Sequence, residues 1–331
     1  MKTFDYLAPT DLDEALAAIG ERPGARFLGG GTNLIDLVRE GIEAPDTMID
    51  VTRLGMDEVV ETAGGGVRIG AGVRNSHLAE HPLIRTRYPV VTQALLSGAS
   101  GQLRNLATVG GNLLQRTRCL YFYDGAAACN KREPGAGCAA IGGFNRMGAV
   151  LGASAHCVAV HPSDLCVALT ALDAEVEARS VRGVRRLPIG ELHRLPGDTP
   201  HRETSLAPDE LITAVELPAL AVAASSRYRK VRDRASYAFA LVSVAGALRV
   251  ADGSVQEVRL ALGGVAHTPW RARAAEQALL GGPATDEAFR AGAAAELAAA
   301  TGAPDNQFKI ALAERTIVAV LRRLRDDGGA A

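Results

Sequence analysis

Four cysteines, Cys119, Cys129, Cys138 and Cys157, fall within one glycine-rich stretch of a 331-residue chain that has five in all. Thiolates gathered by one loop can hold an iron–sulfur cluster or a structural metal, whereas scattered buried thiols cannot. Their intervals are C-x9-C, C-x8-C and C-x18-C, without the compact C-x2-C pairs of ferredoxins and zinc ribbons. Spacing alone therefore leaves a cluster, structural zinc and two disulfides all open. Between 124 and 148 the only large apolar side chains are Ile141, Phe144 and Met147, so the loop has little core and metal–thiolate bonds would order it. An odd cysteine count argues against a purely disulfide framework. The fifth, Cys166, sits in an apolar run and reads as core, while His156 and His161 flank a set of ligands that four cysteines already complete.

Two glycine elements offer a different chemistry. Phe27-Leu28-Gly29-Gly30-Gly31-Thr32-Asn33-Leu34 joins a strand to a helix, so the backbone can approach a ligand while N–H groups at a helix start favour an anion. The second, Thr108-Val109-Gly110-Gly111-Asn112, repeats that logic. Neither is a Rossmann or Walker pattern, and either alone could be a tight turn. Together they could grip both phosphates of one dinucleotide, flavin or nicotinamide.

The elements that must position these residues are short and mixed. A helix capped by Thr10 or Asp11, strands at 26–28 and 47–51 and a turn-and-strand at 64–72 form a first α/β unit. A helix over 90–96, a strand over 150–152, a helix over 162–169 and strands at 174–178 and 210–218 follow. Beyond about 223, strands at 240–248 and 255–264 precede helices at 271–280, 286–300 and 307–324. The chain is thus expected to be α+β.

Composition narrows the partners. A formal charge of −1 and locally balanced basic runs point away from nucleic acid. No apolar stretch suits a membrane span, and the opening residues lack a signal-peptide core. A periplasmic location is therefore expected only as cargo of a partner's signal, the alternative being cytoplasmic.

The order of the two glycine elements, then Ser163-Asp164, then Tyr228-x-Lys230 and Leu262-Gly263-Gly264-Val265-Ala266-x-x-Pro269, resembles the FAD-binding subunit of xanthine dehydrogenase-type molybdenum hydroxylases. The resemblance spans nearly the whole chain. It implies a two-subdomain FAD-binding fold of the PCMH/VAO type over 1–56 and 57–222, with the cysteine-bearing insertion at 113–158, then a C-terminal α/β domain over 223–331. In that family the glycine loops hold the FAD pyrophosphate, which falls here on Phe27, Leu28, Gly29, Gly30, Gly31, Thr32, Asn33 and Leu34 and on Thr108, Gly110, Gly111 and Asn112. Ser163, Asp164 and Lys230 would lie near the flavin or its ribityl chain. A cation at Lys230 could stabilise reduced, anionic flavin, although a solvated lysine is the plainer reading.

The cysteine insertion departs from most of that family. It is similar to the one in flavin subunits of bacterial periplasmic aldehyde oxidoreductases, heterotrimers in which it carries a [4Fe-4S] cluster, and flavin subunits of 4-hydroxybenzoyl-CoA reductases carry one too. The resemblance implies Cys119, Cys129, Cys138 and Cys157 as ligands, with Lys131, Arg132 and Arg146 adding positive charge nearby. It implies an electron-transfer subunit: a large molybdenum-cofactor subunit oxidises an aldehyde, a small [2Fe-2S] subunit passes electrons to FAD, and an external acceptor receives them. No acid–base pair or nucleophile stands out in this chain, which fits that division of labour. The flavin subunit of a 4-hydroxybenzoyl-CoA reductase-like enzyme and a self-contained FAD oxidase with a structural zinc loop are the competing expectations.

Overall fold

Asp11 opens the first helix, Leu12–Glu21, by accepting from the N–H groups of Asp13 and Glu14 at 2.9 and 3.1 Å. Its apolar face, Ala15 and Ile19, packs with Ala25 and Ile49 on a small sheet of β1 (Asp5–Leu7), β2 (Arg26–Leu28) and β3 (Thr47–Asp50). Both pairings are parallel, in the order β1-β3-β2. The computed structural model describes residues 2–328 of the chain.

A second sheet, wholly antiparallel, contains β4 (Val59–Glu61), β5 (Val67–Gly70), β6 (Glu175–Ser180), β7 (Gly183–Pro188) and β8 (Leu211–Leu217) in the order β4-β5-β8-β6-β7. The third is also antiparallel: β9 (Ser226–Val231), β10 (Val242–Ala251), β11 (Ser254–Gly263) and β12 (Trp270–Arg271), in the order β12-β11-β10-β9. Helices Arg273–Leu279, Asp286–Leu297 and Phe308–Gly328 bury their apolar faces in a core with β10 and β11. Between the second and third sheets lies the helix Asp164–Ala171, apolar apart from Asp164 and Thr170 and buried at every residue. The α+β expectation holds.

One expected element differs. Residues 150–152 are not a strand, because the N–H groups of Val150 and Leu151 both donate to the single carbonyl of Val265, at 2.8 and 3.0 Å. That convergence anchors the end of the cysteine insertion instead of extending a ladder. Lys309 reinforces the anchor: wholly buried, its ammonium donates to the carbonyls of Met147 at 3.3 Å, Gly148 at 2.7 Å and Gly264. Burial pushes its pKa down to about 7.

The start of the insertion is anchored by charge. Arg116 pairs with Glu43 and, at 2.6 Å, with Glu203, while the nearly inaccessible Lys131 pairs with the other oxygen of Glu203. The Arg116 guanidinium also lies 4.6 Å from the Phe122 ring, and Phe122 packs with Leu37 and Cys129. Glu43 and Leu37 belong to the first unit, so the insertion is joined to all three parts of the chain. Arg132 completes the loop's internal order by donating to the carbonyls of Tyr121 and Phe122 at 2.8 and 2.9 Å.

The glycine loops meet each other. A Cβ on Gly30 would stand 1.9 Å from the Leu106 carbonyl oxygen, and one on Gly29 would stand 2.8 Å from Thr108 Oγ1. These two glycines therefore serve the contact between loops, whereas Gly31, at φ 72°, supplies the left-handed turn into the helix Leu34–Arg39. Gly30→Ala should cost about 1–3 kcal/mol through forced backbone displacement. Gly64→Ala, with open space around it, should change stability by less than about 0.5 kcal/mol; urea unfolding of both variants checks the contrast.

Burial opposes ionisation of Glu203, but the charges of Lys131 and Arg116 outweigh it and hold its carboxyl below the ordinary range. A carboxylate with a depressed folded-state pKa stabilises fully above its unfolded-state pKa, and the contribution fades as pH falls through the folded value. Glu203→Ala, which strands the buried Lys131 and leaves Arg116 with Glu43 alone, should cost about 3–5 kcal/mol at pH 7. The gap between wild type and variant should narrow once the pH drops below the glutamate value of about 4.3. Denaturant midpoints across pH 3–7, a range chosen to span the glutamate transition, measure both effects.

Candidate functional site

A groove of about 320 Å³ lies where the three parts of the chain converge. Thr32 and Asn33 reach it from the first glycine loop, Gly111 and Asn112 from the second, Asp164 from the buried helix and Lys230 from β9. The sequence expectation grouped these six residues, and the structure brings them into the lining of one groove. The remaining expected residues do not line it. Phe27 and Leu28 lie in β2, Leu34 begins the following helix, and Gly110 packs on Ala71, where a Cβ would approach to 3.1 Å.

Local capping builds the second loop. Thr108 Oγ1 accepts from the Gly111 N–H at 3.2 Å and starts the short helix Val109–Leu113. Asn112 Oδ1 accepts from the Ser163 hydroxyl at 2.6 Å, and Ser163 Oγ accepts from the Cys166 N–H at 3.0 Å, capping the buried helix. The second loop and the helix start are thus one hydrogen-bonded unit. Asn33 works similarly on the first loop: its Oδ1 accepts from the Arg116 N–H at 2.8 Å, whereas its buried Nδ2 has no protein partner among the described residues. A buried donor left over at a glycine loop fits a ligand oxygen.

Asp164 ties the groove to the third sheet. Its Oδ2 pairs with Lys230 Nζ at 2.7 Å, and its Oδ1 accepts from the Tyr228 hydroxyl at 2.5 Å. Burial, then the Asp164 charge, pushes the Tyr228 hydroxyl well above its ordinary pKa, so it remains a donor. Lys230 also donates to the Ser97 carbonyl at 3.2 Å. Its charge is therefore balanced by a carboxylate, and the site presents Lys230 to a ligand as half of an ion pair. Two non-glycine residues with positive φ, Ala99 at 51° and Tyr237 at 52°, also line the groove.

A second cavity of about 260 Å³ adjoins the groove, sharing Arg118, Pro162, Asp164, Ala238 and Phe239 with it. Arg118 stands 5.0 Å over the Phe239 ring at that junction. Ser163 lines this second cavity rather than the groove. So does Cys119, which puts the cysteine insertion in its wall. Sequence reasoning missed Arg118, Tyr237 and Phe239, which carry no local motif.

All five cysteines are free thiols. Cys129 and Cys138 face each other in an antiparallel bridge, and Asn130 joins the two ends of the loop by donating to the His156 carbonyl and accepting from the Gly137 N–H. Burial raises the Cys119 pKa, and charge on the neighbouring Cys129 and Cys138 raises it further. Burial pushes Cys157 to about 11, against the opposing effect of Lys131, with Cys138 and Cys119 adding to the rise. The four thiols are thus electrostatic neighbours, and a metal would have to displace their protons. Cys166 is in the main core, as expected, with burial raising it to about 12. Of the basic residues expected near the thiols, Lys131 is neutralised by Glu203 and Arg146 pairs with Asp233 at 2.7 Å.

Residues 2–220 match the family model described as the FAD binding domain in molybdopterin dehydrogenase. Residues 226–323 match the CO dehydrogenase flavoprotein C-terminal domain. The chain is 51% identical over 328 residues to the aldehyde oxidoreductase FAD-binding subunit PaoB of Escherichia coli K12, covering 98% of this chain and 99% of that one. It is 27% identical to the glyceraldehyde dehydrogenase medium chain of Sulfolobus acidocaldarius, over 86% of this chain and 83% of the other. Among solved structures, a carbon monoxide dehydrogenase of Hydrogenophaga pseudoflava superposes with a TM-score of 0.76 at 26% identity, covering 97% of this chain and 96% of that one. Two family models that abut near the start of β9, together with the relatives' medium-chain and FAD-subunit character, agree with the groove's architecture. The chain belongs to the FAD-binding subunit family of the molybdenum hydroxylases.

Proposed function

We propose that the chain is the electron-transfer flavoprotein subunit of a molybdenum-dependent aldehyde oxidoreductase, holding FAD in the groove and a [4Fe-4S] cluster on Cys119, Cys129, Cys138 and Cys157. What supports the cluster is that four free thiols, electrostatic neighbours of one another, lie in one insertion that supplies little apolar core of its own and borders the flavin-side cavity.

For FAD, Thr32, Asn33, Gly111 and Asn112 would hold the pyrophosphate, with Asn33 Nδ2 as the donor awaiting an oxygen. Asp164 and Lys230 would meet the ribityl chain or the ring. The bound flavin supplies two-electron redox chemistry, and the chain's part is to bind and orient it and to set the surrounding charge. Because Lys230 is paired with Asp164, its contribution to a reduced flavin is that of a dipole rather than a free cation.

The partners are a large molybdenum-cofactor subunit, where an aldehyde would be oxidised, and a small [2Fe-2S] subunit that delivers electrons; an external acceptor removes them. Among the described residues no helix is long and apolar enough to cross a membrane. Export to the periplasm would depend on a partner's signal, and the alternative compartment is the cytoplasm.

Cys129→Ser should lose the cluster's broad visible absorbance and most of its iron while keeping FAD, since the phosphate loops lie outside 119–157. Iron and flavin assays on the purified variant check this. Full retention of the cluster, or loss of FAD with the cluster intact, contradicts the assignment.

A further inference from the structure

Cys129 and Cys138 form an isolated antiparallel bridge within the cysteine insertion. The Ala139 N–H donates to the Ala128 carbonyl at 2.9 Å, one residue outside the pair on each side, while the Cys129 carbonyl is taken by the N–H groups of Arg132 and Glu133. The two cysteines are therefore a pair without mutual backbone hydrogen bonds. In such a pair the opposed Cα atoms come within about 4.5 Å and the side chains, on one face, lie closest. That spacing falls inside the range of roughly 4.4–6.8 Å that a disulfide can span.

The segment between them is already closed. Besides the bonds from Arg132 and Glu133 to the Cys129 carbonyl, at 3.1 and 2.9 Å, the Ala136 N–H donates to the Glu133 carbonyl at 3.1 Å and Asn130 Oδ1 accepts from the Gly137 N–H at 2.9 Å. Gly135 and Gly137, at φ 88° and 93°, supply the left-handed backbone that turns the chain back. Joining the sulfurs thus requires no further loop closure. Among the described residues neither of the other two insertion thiols faces a cysteine across a bridge: Cys119 stands at the N-cap of the helix Leu120–Tyr123, and Cys157 is bridged to Ser154. Access within the pair is uneven, with Cys129 buried and Cys138 partly exposed.

We propose that the chain without its cluster closes a Cys129–Cys138 disulfide, which gives these two thiols a second covalent state beside cluster ligation; the ligand role rests on the cluster reading above, the pairing on the bridge alone. With glutathione disulfide as oxidant, the thiolate of Cys138, the more accessible of the two, attacks one glutathione sulfur, forming a mixed disulfide and expelling one glutathione thiolate. The Cys129 thiolate then attacks the Cys138 sulfur, and the second glutathione leaves. The protein loses two electrons and two thiol protons. Glutathione disulfide gains both electrons, and the protons go to its two departing thiolates. The new bond withdraws two of the four ligands, so a reducing thiol must open it before a cluster can be built. Partial exposure of Cys138 leaves the bond open to that attack.

Peptide mapping by mass spectrometry tests the pairing on the full chain, freed of iron by a chelator and a reductant, exchanged into glutathione disulfide and then alkylated. The expected product is one intramolecular disulfide joining Cys129 to Cys138, with Cys119, Cys157 and Cys166 alkylated. That product should take up no iron from ferrous salt and sulfide until dithiothreitol is added, whereas the reduced chain takes it up directly. Cys157→Ser, which also lacks a complete ligand set, should form the same disulfide, and Cys138→Ser should leave Cys129 without an intramolecular partner. A persistent dithiol at 129 and 138, or a linkage of either to Cys119 or Cys157 in the wild-type chain, overturns the proposal. A reduced chain that binds no iron overturns the cluster reading instead.

Discussion

A chain of four charges, Glu43–Arg116–Glu203–Lys131, of which Lys131 is buried and the other three are partly buried, holds the site together. Two carboxylates and two cations alternate, so each desolvated charge has an opposite neighbour and the set is neutral. Its members come from the first unit, the segment after the second glycine loop, the cysteine insertion and the long connection before β8. Without it a glycine-rich insertion with almost no core would have nothing to order its first half. With it, Cys119 and Cys129 are fixed against Phe122 and Leu37, and the backbone of Arg116 is positioned to hold Asn33 in the first glycine loop. The same charges therefore set both the thiol loop and one rim of the flavin groove.

The opposite rim depends on Asp164. A carboxylate at the start of a fully buried helix would be costly alone, and Lys230 and Tyr228 compensate it from the C-terminal sheet. Docking of that sheet and completion of the groove are consequently one event. Lys309 fastens the end of the cysteine insertion to the same domain through three carbonyls, matching the three donors of an ammonium group. The insertion is thus held at its start by ion pairs, at its end by hydrogen bonds to Lys309, and in the middle by the thiols' own surroundings.

Much of this was legible in the sequence because it is local. Strand–glycine–helix patterns, the Asp11 cap and the apolar period of the last helix depend on residues a few positions apart, and all are present. The order of the glycine loops and of Asp164 and Lys230 marked the groove. The charge chain was not legible: Arg116 and Glu203 are 87 positions apart, and nothing near either announces the other. The small cavity that His161, His193 and His267 line together was hidden for the same reason, since they lie on separate segments. Residues 150–152 read as a strand because three apolar or small residues in a row fit one, while their true partner, the Val265 carbonyl, is set by tertiary docking. The role expected for Lys230 as a free cation likewise required knowing that Asp164 faces it.

The central claim is that one chain houses a flavin and, beside it, a cluster on four thiols. The most direct measurement is the iron, acid-labile sulfide and flavin content of the purified protein. The account predicts about four iron and four sulfide per chain, as one [4Fe-4S] cluster requires, together with one FAD. Zinc in place of iron, or thiols paired as disulfides with flavin alone, would contradict it.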